Sequence, residues 1–504
     1  GVRLLHSQAW LYAAKSRVLD AEDETAADAE DWFAGPKRAI LAPYGIGTVD
    51  QALLAVLRVR HGFVRLFGLA GKAVIIDEVH AYDIYMSDLL ERLLGWLKGL
   101  GARVILLSAT LPGARRDALL RAWGVQGKVD SPYPCISWVD GSGALRSQTV
   151  TASRRKPLRI TWADRTDGCD IWKTGAQRIL SLVRQNGGAG ALIVNTVDDA
   201  QQAYRWLKDQ APSGIDVLLF HARFTARDRE RRERDVLTRF GREGDRSRPA
   251  ILAATQVVEQ SLDLDFDHMV SSLAPIDLLI QRAGRLHRHS RSPDGKLRPP
   301  GQPDQRPDPV LEVIPPDYDD DRVPELREPV YAKDVLLRTE SVLGKGVCIA
   351  TPSDVASLVE KVYGENECEE TRQWWLKRLS EVSEQEEERR ARSHEISRQV
   401  LIPPADGRNL ITHTDSFLVE DDDQPASQLQ ARTRLEDVPS LTLAVLREDD
   451  PDPDVEPDAA GKRKAALACV RVHAAGDRLR ELLGLPGAPG WKRIKALREA
   501  RVAR

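Results

Sequence analysis

Five cysteines in 504 residues, none in a C-x-x-C pair, exclude both the spacing of a zinc knuckle and the density of a disulfide framework. Such usage fits a reducing compartment, so a cytoplasmic location is expected. No apolar run approaches the roughly 18 residues that read as a membrane-spanning helix. The N-terminus lacks the basic-then-apolar build of a signal peptide, and no membrane partner is expected. Charge of one sign is lacking too: 73 Lys and Arg against 76 Asp and Glu leave a net charge of −3. No global positive field draws this chain to nucleic acid, so any nucleic-acid site has to be a local groove. Methionine is missing from the first position, where Gly1 stands, and the chain is expected to begin inside a longer gene product.

What is present is an ordinary globular composition, 42% hydrophobic and 30% charged, in a length sufficient for about two to four cores. From residue 38 to about 290, short apolar runs alternate with amphipathic helical patterns, the signature of α/β layering on a parallel sheet. The runs are "AVII" (73–76), "RVILL" (103–107), "ALIV" (191–194), "DVLLF" (216–220) and "AILA" (250–253), each expected to be buried on both faces. Between the first two, Met86, Leu89, Leu90, Leu93, Leu94 and Leu97 form one helical stripe. Thr196 with Asp199, and Thr225 with Asp228, read as capping boxes. After residue 290, "SRSPDGKLRPPGQPDQRPDP" reads as a linker or exposed excursion, and "SEVSEQEEERRARSHEISRQ" (380–399) as a solvated helix. Acidic loops around "LTLAVL" (441–446) suggest a small C-terminal domain with some strand content.

An acidic pair at the carboxyl end of a buried strand sits where parallel sheets place ligands. In "KAVIIDEVHAYD" that pair is Asp77 and Glu78, followed by His80. One carboxylate of such a pair can hold magnesium while its neighbour orients an attacking water. A solvated turn is the plainer reading of a lone Asp-Glu, so other segments must decide. "SATLP" (108–112) ends the next run. "IQRAGRLHRH" sets Arg285 and Arg288 three apart, which on a helix would give them one face and one anion to share.

The ordered set "GTVDQAL" (47–53), "DEVH" (77–80), "SAT" (108–110), "FHARF" (220–224), "ATQVVEQSLDLDFD" (254–267) and "QRAGRLHRH" (281–289) resembles a superfamily 2 DExH helicase. More specifically, it is similar to the CRISPR-associated helicase-nuclease of type I systems, subtype I-E. The resemblance implies an α/β fold of two tandem RecA-like parallel-sheet lobes, the first incomplete, then a linker and a small C-terminal domain. Residues 1–150 would be the remainder of the first lobe, 151–330 the second, and 331–504 the linker helix and C-terminal domain. It further implies ATP and magnesium as cofactors, and single-stranded DNA and the RNA-guided surveillance complex (Cascade) as partners, with movement 3′ to 5′. Asp77 would hold the metal, Glu78 would activate water, and His80 would couple that site to "SAT". Gln281, Arg285 and Arg288 would face the γ-phosphate, with Asp263 and Arg282 also contacting the nucleotide. Thr48, Ser108, Thr110, Arg223 and Gln256 would serve the nucleic-acid path.

Two signatures of that family are missing from the 504 residues. No Gly-Lys pair is followed by Ser or Thr, so the P-loop that cradles phosphates is absent. No histidine precedes an aspartate, so the nuclease His-Asp pair is absent as well. A partial gene product, or a split system whose other subunit supplies nuclease and P-loop, would each account for this. This chain alone is expected to hydrolyse ATP weakly or not at all. A catalytically inactive DNA-binding and docking fragment, or a generic DExH RNA helicase, stand as alternatives.

Overall fold

Each apolar run forms a strand in the computed structural model, which describes residues 2–5, 38–59, 62–129, 131–151, 157–164, 169–259, 262–316, 330–364, 373–405, 433–434, 440–447, 449–473, 476–488, 491 and 500–503. The chain divides into two compact units. One comprises Gly1–Val150 and Glu384–Leu435, the other Thr151–Ser383 and Glu436–Arg504.

In the first unit, β1 (Val2–Leu5) pairs in parallel with β2 (Tyr44–Gly47), and β3 (Ala73–Ile76) with β4 (Arg103–Leu106). β5 (Cys135–Val139) and β6 (Leu145–Thr149) form an antiparallel hairpin. The helix Ile84–Gly99 supplies the core. Its N-cap Asp83 accepts from the Met86 amide at 2.8 Å, and the six residues of its predicted stripe are all buried, none more than 4% exposed. Burial on both strand faces does not hold in this unit. Ile76 packs inward, whereas Ile75 and Ile105 on the opposite face are 63% and 50% exposed.

Residues from late in the chain complete this core. Val400, Leu401 and Ile402 pack with Leu53, Val56 and Leu93. The Trp96 indole donates to the Pro403 carbonyl at 2.9 Å, and Arg92 to that of Ile402 at 2.6 Å. The charged stretch 380–399 does lie in a helix, Gln373–Val400, but with Val382 and Ser397 each 1% exposed it is not solvated all round.

The second unit holds a seven-stranded sheet of β7 (Pro157–Trp162), β8 (Ala189–Ile193), β9 (Asp216–Phe220), β10 (Ala250–Ala254), β11 (His268–Ser272), β12 (Val310–Ile314) and β13 (Val347–Ala350). Their order is β13-β7-β12-β11-β8-β10-β9. Every pair is parallel except β13 with β7. Because β13 covers the open edge of β7, the lobe runs past the expected boundary at 330. Both threonines cap their helices: Thr196 accepts from the Asp199 amide at 3.1 Å, and Thr225 from that of Asp228 at 3.2 Å.

The proline-rich stretch is no linker. Arg291 Nε meets the fully buried Asp265 at 2.5 Å, and Arg306 meets Asp267 at 2.7 Å and Asp304 at 2.6 Å, which pins 290–309 to the lobe. The predicted C-terminal strands exist as β14 (Ser440–Val445), β15 (Cys469–His473) and β16 (Arg501–Ala503), in the order β15-β14-β16. They belong to the second unit. Arg227 on the helix Ala226–Phe240 meets Asp450 at 2.8 Å, and Arg447 reaches Asp228 at 2.7 Å.

Candidate nucleotide and nucleic-acid site

The parallel register Ile76↔Leu106 opens both strand ends at one edge, which brings "DEVH" and "SAT" together within the first unit. Asp77 and Glu78 are exposed there. Glu78 adopts φ +55°, in the left-handed region that costs a non-glycine residue roughly 1–3 kcal/mol. Its amide donates to Asp77 Oδ1 at 2.9 Å, and the Tyr82 hydroxyl donates to the Asp77 carbonyl at 3.2 Å. Glu78 Oε2 lies 3.3 Å from His80 Nε2, and His80 Nδ1 lies 3.2 Å from Ser108 Oγ. Ser108 directs its single hydroxyl hydrogen to the Thr110 carbonyl at 2.6 Å, so its oxygen accepts from His80 Nδ1–H. The other ring nitrogen then faces the Glu78 carboxylate.

In the second unit the helix Ile276–Ala283 carries Gln281 and Arg282 and stops before Arg285 and Arg288. From Arg285 to His287 the backbone instead pairs with Phe266, whose amide donates to the Arg285 carbonyl at 2.9 Å. The shared helical face expected for Arg285 and Arg288 is therefore not formed. Arg285 donates to the Glu259 carbonyl at 2.6 Å, whereas Arg288 Nε pairs with Asp263 at 2.5 Å and His289 approaches the same carboxylate at 3.0 Å. Burial pushes the Asp263 carboxyl up, but Arg288 and His289 outweigh it and hold it below the usual range.

Arg282 departs from its expected nucleotide contact. It is fully buried and spends its donors on Glu259 (2.6 Å), Ser271 (2.7 Å), the Ser272 carbonyl (3.2 Å) and Tyr331 (3.0 Å). Its role is to hold the strand ends and loop around the arginine segment. Glu259 and Tyr331 were not legible as its partners, since neither stands near it in sequence.

Arg223 and Gln256 follow the carboxyl ends of neighbouring parallel strands, β9 and β10, where such sheets bind ligands. Arg223 is exposed, and its amide donates to Nδ1 of the buried His221 at 3.1 Å. The His221 ring stacks on Phe224 at 4.0 Å, and the Arg232 guanidinium lies 4.4 Å over the same phenyl ring. Burial, then Arg232 and Arg223, push the His221 imidazole down to about 4, so it stays neutral and fixes the loop that presents Arg223. Thr48 is exposed at the N-cap of the short helix Val49–Leu53. Thr110 is only 5% exposed, which removes its side chain from the proposed strand path.

Asp77 offers hard carboxylate oxygens suited to magnesium. Among the described residues no three His, Cys, Asp or Glu side chains gather into a metal cage. Magnesium needs none where one or two carboxylates share it with phosphate oxygens. The phosphate cradle is a different matter: no Gly-Lys-Ser or Gly-Lys-Thr occurs among the 504 residues.

Comparison with known proteins bears on this arrangement. Residues 186–291 match the family model described as the C-terminal part of the CRISPR-associated nuclease/helicase Cas3. A Thermus thermophilus CRISPR-associated endonuclease/helicase Cas3 is 37% identical over 88% of this chain and 51% of its own length. The Escherichia coli Cas3 is 41% identical over 57% of this chain and 33% of its own. The chain thus spans about half or less of the curated relatives it matches. The crystal structure of T. fusca Cas3-ATP aligns over 100% of this chain and 58% of that one, with a TM-score of 0.81 and 31% identity. A chain from a CRISPR RNA-guided surveillance complex, pre-nicking, aligns over 99% of this chain and 60% of that one, with a TM-score of 0.73 and 29% identity. With its motif order, its two α/β units and these likenesses in agreement, the chain belongs to the Cas3 family, as a helicase portion of that CRISPR-associated nuclease/helicase.

Proposed function

We propose that this chain is the motor portion of an ATP-driven, 3′-to-5′ single-stranded DNA translocase or helicase of type I CRISPR defence. It acts in the cytoplasm on DNA delivered by the RNA-guided surveillance complex (Cascade). The observation that carries the reading is the line from Glu78 through His80 to Ser108 beside Asp77. Magnesium at Asp77, when bound with ATP, supplies charge neutralisation at the phosphates. Glu78 takes the proton of the attacking water, and His80 shares that proton while its other nitrogen ties the event to the "SAT" loop. Arg285, Arg288 and Gln281 serve the γ-phosphate and Asp263 the nucleotide, with the Arg288–Asp263 pair parting to do so. Thr48, Arg223, Gln256 and Ser108 serve the DNA path, and contacts of this kind to the backbone weaken with salt. Support comes from solved relatives described as bound to ATP, ADP and AMPPNP, and from the relative described in a surveillance complex.

The test is phosphate release with oligodeoxythymidine, from this chain alone and from the chain joined to a segment bearing G-x-x-x-x-G-K-[ST]. Little turnover alone, and DNA-stimulated turnover when joined that is lost in Glu78→Gln, is the expected result. Stimulation by RNA in place of DNA would turn the reading to an RNA helicase. No turnover in either state, with DNA binding retained, would make the chain a docking module.

A further inference from the structure

The β5–β6 hairpin takes no part in the site described above. Its register pairs Ile136 with Gln148 and Trp138 with Arg146, so these four side chains share one face. That face is open to solvent: Ile136 is 59% exposed, Trp138 44%, the Arg146 side chain 60%, and Gln148 is exposed as well. Val150, next in the same alternation, is 42% exposed.

The rest of the hairpin is held firmly. On the opposite face the Ser131 hydroxyl donates to that of Ser147 at 2.8 Å. At the turn, Asp140 accepts from the amides of Ser142 at 2.9 Å and Ala144 at 3.1 Å, and pairs with Arg146 Nε at 3.0 Å. At the root, the Val150 amide donates to the Pro134 carbonyl at 2.7 Å, and the Tyr133 hydroxyl to that of Ala109 at 2.8 Å. This last bond fastens the hairpin to the Ser108–Thr110 loop itself. A braced ribbon thus presents an indole, an aliphatic side chain and a guanidinium outward, where they add nothing to a core.

The size and chemistry of the face select its occupant. A specific protein interface takes roughly 800 Å² from each partner, more than four side chains of a short ribbon supply. An unpaired nucleobase needs one aromatic plane, and a guanidinium beside it suits the adjoining phosphate. Arg146 meets Asp140 through Nε, which leaves its terminal nitrogens to serve such a phosphate.

We infer that the β5–β6 hairpin is a base-stacking platform for single-stranded DNA: Trp138, flanked by Ile136, packs on an unpaired base, and Arg146 takes a backbone phosphate. The inference rests on the single-stranded DNA reading above and adds to it a contact outside the motif residues. Its position at the "SAT" loop lets the base grip follow the same loop that His80 reads through Ser108.

Fluorescence anisotropy of this chain with a labelled oligodeoxythymidine tests it. Trp138→Ala is expected to weaken binding by about 5- to 150-fold, the range for losing one stacked base. Trp138→Phe should restore most of the affinity, and Trp138→Ala should leave the salt slope unchanged. Arg146→Gln should reduce that slope by about 0.7, one phosphate contact on a single strand. Photocross-linking of the wild-type chain to a 5-iododeoxyuridine oligonucleotide, mapped by mass spectrometry, should mark residues 135–149 without any substitution. Equal affinity of Trp138→Ala and wild type, with no cross-link to the hairpin, overturns the platform and leaves the motor reading standing. Failure of the wild-type chain to bind single strands overturns both.

Discussion

His80 Nδ1 stands 3.2 Å from Ser108 Oγ, across 28 residues of sequence and two parallel strands. With Glu78 at 3.3 Å on the other ring nitrogen, one imidazole reads both the acidic pair and the loop after the next strand. General acid–base groups contribute about 10² to 10⁴ in rate. In the protein joined to a P-loop segment, Glu78→Gln should therefore lose at least about a hundredfold of DNA-stimulated phosphate release. Ser108→Ala should retain basal turnover and lose its stimulation by DNA, since it breaks the link and spares the base. Comparing release rates with and without oligodeoxythymidine separates the two.

Arg282 should prove structural. Removing one partner of a buried, hydrogen-bonded ion pair costs about 3–5 kcal/mol, because the other charge is stranded. Arg282→Ala is expected to destabilise by that amount in urea unfolding, whereas Arg282→Met combined with Glu259→Gln should recover much of it.

The His221 imidazole, buried and faced by Arg232 and Arg223, is pushed from 6.5 down to about 4. Between those values the unfolded chain binds a proton that the folded chain refuses, so folding stability rises with pH through this window. The contribution is complete above about pH 6.5 and is lost progressively as pH falls toward 4. Urea unfolding at pH 7 and pH 5 should show that loss, and His221→Gln should lessen it.

Asp450, with its side chain 1% exposed, holds the Arg227 guanidinium at 2.8 Å and 3.2 Å. Asp450→Ala leaves that arginine without its acceptor and should cost about 1–3 kcal/mol. Hydrogen exchange should quicken in the Ser440–Val445 strand while the amides of β8 and β10 keep their protection.

Much of the fold was legible because burial writes a period into the chain. The helix Ile84–Gly99 buries all six residues of its stripe, and each of the five apolar runs singled out in the sequence became a strand. The capping threonines were equally readable, since their partners stand three residues away. The order of the motifs placed the acidic pair, its histidine and the arginine segment within one family. None of these depends on contacts between distant parts of the chain.

Other features were decided only by long-range pairing. On a helix Arg285 and Arg288 would share a face, but Phe266, some twenty residues earlier, takes the backbone from Arg285 to His287 into a bridge. Arg282 looked like a ligand contact until Glu259 and Tyr331 consumed its donors. The proline-rich stretch read as a linker or an exposed excursion because composition reports flexibility, and the linker reading fails because Asp265 and Asp267 supply the acceptors that hold it. The exposed face of the β5–β6 hairpin shows the same limit. Its residues alternate like those of any strand, and only the folded chain sets which side packs and which side faces water.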